Sequence, residues 1–335
     1  MCCSVLGGAL PLAAQQTLRG TVLTAGSTDS LPFSVVSLEP GFPPRLTDVR
    51  GQFTFTMLTT GRYRLVVRQI GHLPFDTLLT VGTAALEPLQ VTLQRMAIGL
   101  PAVTVRGRIE CRVPGPPDPA ISAAAAAVFD QAVENARRYR LLADSFPHRT
   151  VVERTLATVD AGGNQHVTMI DTLPRESGAL RPYRRGHLIT DGAGPRIGQL
   201  EVRLWHLEDF ADSAFIKHHC FRLAGRDTLG GETLTRLDFQ PPRSFGEVDV
   251  EGAVYLDPAT YVVRYAVVRL TQPRQGLRNV AALEARTRFR QIAPWLVVYD
   301  HSAVTRLRNP RGASRVEEVR MLDVRFARPL DQQDP

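Results

Sequence analysis

The segment LTDVRGQFTF (46–55) decides the fold of the first part of the chain. Apolar and polar residues alternate on both sides of Gly51, and Phe53 and Phe55 are spaced to face the same side of a strand. Asp48 can accept hydrogen bonds from turn amides, and Gly51 suits a turn position with positive φ. The segment therefore predicts a tight turn between two strands, not a glycine-containing catalytic loop.

Short alternating runs of the same kind continue from residue 17 to residue 93, separated by connections rich in glycine and proline. The runs are LRGTVLT, FSVVSLE, GQFTFTML, GRYRLVVRQI, FDTLLTV and PLQVTLQ. About six or seven strands at this spacing, with no helical segment between them, predict a small antiparallel β-sandwich.

Spaced turn and strand residues follow one another in a fixed order through this region. They are Gly20 and Val22, Val35 and Leu38, Thr47-Asp48-x-x-Gly51-x-Phe53-x-Phe55, Gly61-x-Tyr63-x-Leu65, Ile70-Gly71-His72, and Val91-x-Leu93. This order resembles the carboxypeptidase regulatory-like domain over residues 17–96. The resemblance implies a prealbumin-like sandwich, also grouped with carbohydrate-binding-like folds, in a periplasmic or surface setting where such domains precede many outer-membrane receptors. It implies no peptidase activity, because the zinc ligands of carboxypeptidases lie in a separate catalytic domain.

The first 16 residues differ in kind from the rest. They carry no charge, contain an apolar run from Val5 to Leu12, and place small residues at Ala13 and Ala14. This pattern is that of the apolar region and cleavage site of a signal peptide, although the usual positively charged start is missing; a buried N-terminal strand is the alternative. The run is shorter than the roughly 20 residues of a membrane-spanning helix. We therefore expect no transmembrane helix, and a protein secreted to the periplasm or outer membrane of a Gram-negative bacterium.

The formal charge of +7 raises the question of nucleic-acid binding. Lys217 is the only lysine, so arginine supplies nearly all the positive charge, and the arginines are spread along predicted strands instead of forming one basic run. Guanidinium stems cover apolar strand surfaces well. The distribution therefore predicts no nucleic-acid partner.

Two cysteines remain outside the predicted leader, Cys111 and Cys220. In an oxidising compartment a single pair suggests one disulfide, and two separate buried thiols are the alternative. No Cys-x-x-Cys spacing is present, so zinc or thioredoxin chemistry has no support.

A linker and a helix are predicted between the two β-rich parts. Residues 97–118 are rich in proline and glycine towards their end and form the linker. Asp118 and Pro119 suit the N-cap and first turn of a helix over 119–143, whose alanine run favours helix formation. An unstructured alanine-rich linker is the alternative.

Residues 148–330 return to alternating strands. The clearest hairpin is EGAVYLDPATYVVRYAVVRL, which turns at Asp257-Pro258-Ala259-Thr260. The pattern Gly-x-hydrophobic-x-Leu-Asp-x-x-Thr from Gly252 to Thr260 resembles hairpins of lipoprotein-carrier-like periplasmic domains. The predicted fold is therefore mainly β: an N-terminal antiparallel sandwich, one connecting helix, and a large curved antiparallel sheet or half-barrel.

The concave face of such a sheet is the first candidate binding site, and a lipid or acyl chain is the expected ligand. The candidate ligand-binding residues are Val254, Leu256, Val263, Val297, Trp205 and Trp295. A glycan at the sandwich loops or an outer-membrane protein partner is the alternative. Both tryptophans lie in the second domain, which does not favour glycan binding by the first.

Catalytic and metal sites have weaker support. His206 with Asp209 or Asp212 carries the residue types of a hydrolase, but loop carboxylates of this kind are usually helix caps or solvated surface. His218 and Cys220 would share one face of a strand and could ligate a metal only with help from elsewhere. Gly-x-Ser-x-Gly, His-Glu-x-x-His and Walker-type motifs are absent from the sequence. We therefore expect a non-enzymatic binding or scaffolding protein without cofactor or metal.

Overall fold

A computed structural model places most of the chain in two compact units that divide after Met96. The structure describes residues 16–98, 110–177, 181–191, 200–308 and 314–326. Nearly all of the predicted leader (1–16) and much of the predicted linker (97–118) lie outside these ranges.

The first unit is a β-sandwich. Its strands are β1 (Gln16–Thr24), β2 (Val35–Glu39), β3 (Arg45–Leu46), β4 (Gln52–Leu58), β5 (Gly61–Arg68), β6 (Phe75–Val81) and β7 (Leu89–Leu93). They form a three-stranded sheet in the order β4-β1-β7 and a four-stranded sheet in the order β3-β2-β5-β6. The pairs are antiparallel except β1 with β7, which run parallel. One apolar core takes residues from both sheets.

The segment that predicts this fold forms the turn before β4. The Asp48 carboxylate accepts hydrogen bonds from the amides of Arg50 (2.8 Å) and Gln52 (2.7 Å). Gly51 has a φ of 74°, a conformation that L side chains rarely adopt. A Cβ added at Gly20 on β1 would lie 2.4 Å from the Phe53 ring, so glycine there makes room for that core ring.

The second unit is built on one large sheet. Its helices are α1 (Ala123–Ser145) and α2 (Ser213–His218). Its strands are β8 (His148–Val159), β9 (Gln165–Glu176), β10 (Ile189–Asp191), β11 (Leu200–Val202), β12 (Cys220–Leu229), β13 (Glu232–Gln240), β14 (Asp249–Leu256), β15 (Val263–Thr271), β16 (Val280–Ile292), β17 (Trp295–Leu307) and β18 (Ser314–Phe326). Nine of them form a curved antiparallel sheet in the order β12-β13-β14-β15-β16-β17-β18-β8-β9. The mainly β architecture predicted from the sequence is confirmed.

The helix starts later than predicted. Asp118 is not its N-cap, because its carboxylate accepts from the amide of Ala120 (2.8 Å) and closes a separate turn ahead of the helix. Ser122 is the N-cap, with its side chain accepting from the amide of Ala125, so α1 begins at Ala123.

Helix α1 is anchored to the sheet by a buried asparagine. Asn135 accepts a hydrogen bond from the amide of Val263 (3.0 Å) and donates one to the carbonyl of Tyr261 (2.9 Å). The helix contacts β12, β13 and β17. It therefore covers part of one face of the sheet, called here the helix-bearing face.

Cys111 and Cys220 form a disulfide in the structure, with their Cα atoms 5.6 Å apart. Gly115 makes a parallel bridge to Cys220. The segment ahead of α1 is thereby tied to β12, one edge strand of the large sheet.

Candidate functional site

The second unit contains a pocket of about 800 Å3 on the helix-bearing face. Side chains of β8, β9, β16, β17 and β18 form its floor, and Tyr139 of α1 and the segment Val202–Leu207 form its other wall. We call this the sheet pocket. Its volume lies within the range of about 300–1,000 Å3 that is common for small-molecule sites.

The sheet pocket is long and follows the strands. On β17 its lining runs from Val298 to Thr305, which spans roughly 23 Å at about 3.3 Å per residue. Register places Ala303 beside Glu317 of β18, so that residues from neighbouring strands form rows across the floor. An irregularity in the pairing of β16 with β17 occurs at Phe289, and such bulges increase strand bending.

Polar and charged side chains, including five threonines, supply half of the residues that line the sheet pocket, and apolar side chains supply the other half. They are Val152, Leu156, Val202, Leu204, Trp205, Leu207, Leu283, Phe289, Val298, Val316, Val319 and Met321, with Ala157 and Ala303. Such a surface binds apolar groups by removing them from water.

Three histidines line the sheet pocket. Burial lowers the pKa of His148 and of His301, and burial followed by the charge of Arg203 lowers the pKa of His206 to about 4. Their rings are therefore uncharged at neutral pH. Nδ1 of His301 lies 2.9 Å from the Thr287 hydroxyl, which fixes that ring against the floor.

The charged residues of the pocket wall are balanced. Arg175, Arg315, Glu176 and Glu317 contribute two positive and two negative side chains. Tyr139 adds a neutral hydroxyl, since burial and then the nearby charge of Glu208 raise its pKa to about 12. The charged side chains of the pocket lining therefore sum to no net charge.

Of the six residues predicted to bind a ligand, only Trp205 lines this pocket. Val254 and Leu256 of β14 and Val263 of β15 are fully buried. Val297 and Trp295 of β17 are 1% and 4% exposed. Their apolar alternation marks the core equally well, and the sequence does not indicate which part of the sheet α1 covers. The sequence analysis does not identify His148, His301 and Glu317 as pocket residues. A single polar residue in a predicted strand forms no motif that would distinguish it from a surface residue.

The two carboxylates predicted for a hydrolase site form an ion pair and hydrogen bonds to backbone amides of their own segment. The Asp209 carboxylate pairs with Arg203 through both oxygens and accepts from the backbone amide of His206 (2.9 Å). Asp212 caps α2 by accepting from the amide of Ala214 (2.8 Å). In the described ranges, neither carboxylate hydrogen-bonds the His206 imidazole.

The expectation that His218 lies on a strand with Cys220 is wrong. His218 ends α2, because the Asp212 cap starts a helix there, and its Nδ1 lies 2.7 Å from the carbonyl of Ala214. Cys220 is held in the disulfide. Among the residues that the structure describes, no three His, Cys, Asp or Glu side chains come together as a metal site. In the same residues, no helix has both the length and the apolar character needed to cross a membrane.

Comparison with known proteins gives distant structural similarities. No protein-family model and no curated protein matches the sequence. A domain assigned to an outer membrane lipoprotein-sorting protein of Vibrio parahaemolyticus has a TM-score of 0.31 at 14% identity, over 59% of this chain and 93% of that one. A DUF1329 family protein from Desulfovibrio piger has a TM-score of 0.31 at 11% identity, with the same coverage. The MucA/MucB complex of Pseudomonas aeruginosa has a TM-score of 0.21 at 11% identity, over 58% of this chain and 98% of that one. Similarity at this level assigns neither a family nor an activity to the chain.

Proposed function

We propose that this protein is a non-enzymatic binding protein of the Gram-negative cell envelope that holds a lipid or acyl chain in the sheet pocket. The observation that carries the proposal is the pocket itself, which has a volume of about 800 Å3, is elongated along the strands, and takes half of its lining residues from apolar side chains. A flexible hydrocarbon chain fits such a shape better than a compact polar metabolite does.

The energetics of chain burial support this ligand class. Each buried methylene contributes about 0.8 kcal/mol, so ten of them supply roughly 8 kcal/mol before the entropic cost of association is subtracted. An association cost of about 4 kcal/mol leaves roughly 4 kcal/mol from ten methylenes, which corresponds to millimolar binding. About 15 buried methylenes are therefore needed to reach the micromolar range. Neutral histidines in the wall add little desolvation cost.

The envelope location rests on two sequence features and one structural feature. The uncharged N-terminal segment has the pattern of a secretion signal, and the first unit resembles the carboxypeptidase regulatory-like module of secreted proteins. The Cys111–Cys220 disulfide suits an oxidising compartment. Glycan binding by the sandwich is not favoured, since Tyr63 is buried in its core and offers no aromatic platform.

A fluorescence titration tests the proposed function. N-phenyl-1-naphthylamine should brighten on addition of the protein, and an Ala303→Phe variant, which narrows the pocket floor, should lose most of this signal. Ala281→Phe on β16 is the matched control, because Ala281 is exposed and does not line the pocket. Equal probe binding by both variants would place the probe elsewhere and remove the support for the pocket.

A further inference from the structure

One end of the sheet pocket carries three polar side chains in a single row across three adjacent strands. Arg315 of β18 is paired with Thr305 of β17 on one side and with Thr158 of β8 on the other, and all three residues line the pocket. Neighbouring strands are about 4.8 Å apart, so a hydroxyl lies on each side of the arginine. We call this row the Arg315 end of the pocket.

The polar groups of the Arg315 end are available to a ligand. In the part of the chain that the structure describes, the Arg315 guanidinium has no hydrogen bond and no carboxylate within ion-pairing distance, and the hydroxyls of Thr158 and Thr305 have no hydrogen-bond partner. Arg315 is exposed, and neither hydroxyl belongs to the buried polar atoms without a partner. All three groups are therefore open to solvent.

The opposite end of the pocket is less suited to bind a charged group. The Thr150 hydroxyl donates to the carbonyl of Arg175 (3.3 Å), so its proton is already used. Glu176 follows Arg175 directly, lines the pocket as well, and lies 3.8 Å from Arg149. An anion at this end would meet a carboxylate beside the arginine, and a cation would meet the arginine.

Glu317 lies two positions beyond Arg315 on β18 and also lines the pocket. Its charge acts on groups nearer the middle of the floor. Burial lowers the pKa of His301 and the charge of Glu317 opposes that shift, while the hydrogen bond to Asp171 and, as a smaller cause, the charge of Glu317 raise the pKa of Arg154. Arg154 therefore offsets part of the negative charge of Glu317, and the Arg315 guanidinium remains without a counter-ion.

The chemistry of the Arg315 end restricts the ligand. A guanidinium has five N–H donors and no acceptor, and a threonine hydroxyl can donate a further hydrogen bond to the same ligand atom. Carboxylate and phosphate oxygens accept charge-assisted hydrogen bonds from arginine, often two in parallel. The row therefore has the donors that an oxyanion needs, next to a pocket that can hold an apolar chain.

We infer that the Arg315 end binds the anionic head group, a carboxylate or a phosphate, of an amphiphile whose hydrocarbon chain lies in the sheet pocket. The inference rests on the proposed function, because the chain occupies that same pocket. Arg315 is here the specificity-determining residue, and Thr158 and Thr305 add hydrogen bonds to the head group.

Displacement of N-phenyl-1-naphthylamine by matched amphiphiles, each kept below its micelle-forming concentration, tests this preference. Hexadecanoate, hexadecyl phosphate and 1-hexadecanoylglycerol carry chains of equal length that supply about the 15 methylenes needed for micromolar binding, and only the first two are anionic. In an Arg315→Gln variant we expect the Kd of the anions to rise about three- to tenfold, between the effect of an exposed ion pair and that of a charge-assisted hydrogen bond. The Kd of the neutral glyceride should stay within about twofold of wild type. The anion with the larger loss identifies the head group as carboxylate or phosphate.

Arg306→Gln is the matched control. Arg306 is exposed on β17 directly after Thr305, does not line the pocket, and its replacement removes the same charge. An equal loss of anion binding in Arg306→Gln would show a general effect of net charge and overturn the inference. Unchanged anion binding in Arg315→Gln, or an equal loss of all three amphiphiles, would also overturn it, while displacement of the probe by the glyceride would leave the proposed function standing. Failure of all three amphiphiles to displace the probe from wild type would count against both.

Discussion

Acidification should destabilise the second unit through the pocket histidines, and His206 gives the largest expected effect. Burial and then the charge of Arg203 lower the pKa of His206 from 6.5 to about 4. At about 1.4 kcal/mol per pKa unit, this difference corresponds to roughly 3 kcal/mol of folding free energy.

The direction of the effect follows from which state binds the proton. Above pH 6.5 the ring is neutral in the folded and the unfolded chain. Between pH 6.5 and about 4 the unfolded chain binds a proton that the folded one does not, so stability falls as the pH falls. Burial lowers the pKa of His148 and His301 too, and both add to the same trend.

Urea unfolding of wild type and a His206→Gln variant at several pH values between 7 and 4 measures the contribution. The difference in unfolding free energy between the two proteins should change by about 3 kcal/mol across this range. His187→Gln, at an exposed histidine, should leave the wild-type pH profile unchanged. A His206→Gln profile parallel to that of wild type would refute the reasoning and place the ring in contact with water.

Three further changes test the packing of the two units. Gly20→Ala should lower the unfolding free energy of the sandwich by about 1–3 kcal/mol, measured by thermal unfolding, because the new Cβ would lie 2.4 Å from a core ring; an unchanged Tm would contradict this. Asn135→Ala should cost about 2–4 kcal/mol in urea unfolding of the second unit, since it leaves a buried amide and a buried carbonyl unpaired; a loss below about 0.5 kcal/mol would argue against that anchor. Replacing Cys111 and Cys220 together by serine should cost about 3–5 kcal/mol, because the bond closes a loop over a separation of 109 residues; equal urea midpoints for the variant and the oxidised wild type would contradict this.

The sequence predicts the local elements of this fold well where turn chemistry and alternation agree. The turn at Asp48 and Gly51 forms as expected, and Asp257 closes the second-domain hairpin by accepting from the amides of Ala259 (2.9 Å) and Thr260 (2.8 Å). In such turns a side chain bonds to amides within four residues, so the signal is local.

The sheet pocket could not be predicted in the same way. Its floor depends on a long-range pairing in which Val319 of β18 lies beside Arg154 of β8. Its extent also depends on which part of the sheet α1 covers, and α1 is bonded through Asn135 to the β14–β15 connection, far from it in the sequence. The apolar alternation around Val254 is the same for a filled core and an open pocket, so the predicted ligand residues fell mainly in the core.

Native mass spectrometry of the protein purified from its own envelope tests the central claim most directly. We expect wild type and Ala281→Phe to carry a small apolar molecule that organic solvent extracts, and Ala303→Phe to carry little or none. A wild-type protein that is empty, or that retains the same molecule in equal amount as the Ala303→Phe variant, would contradict ligand binding in the sheet pocket.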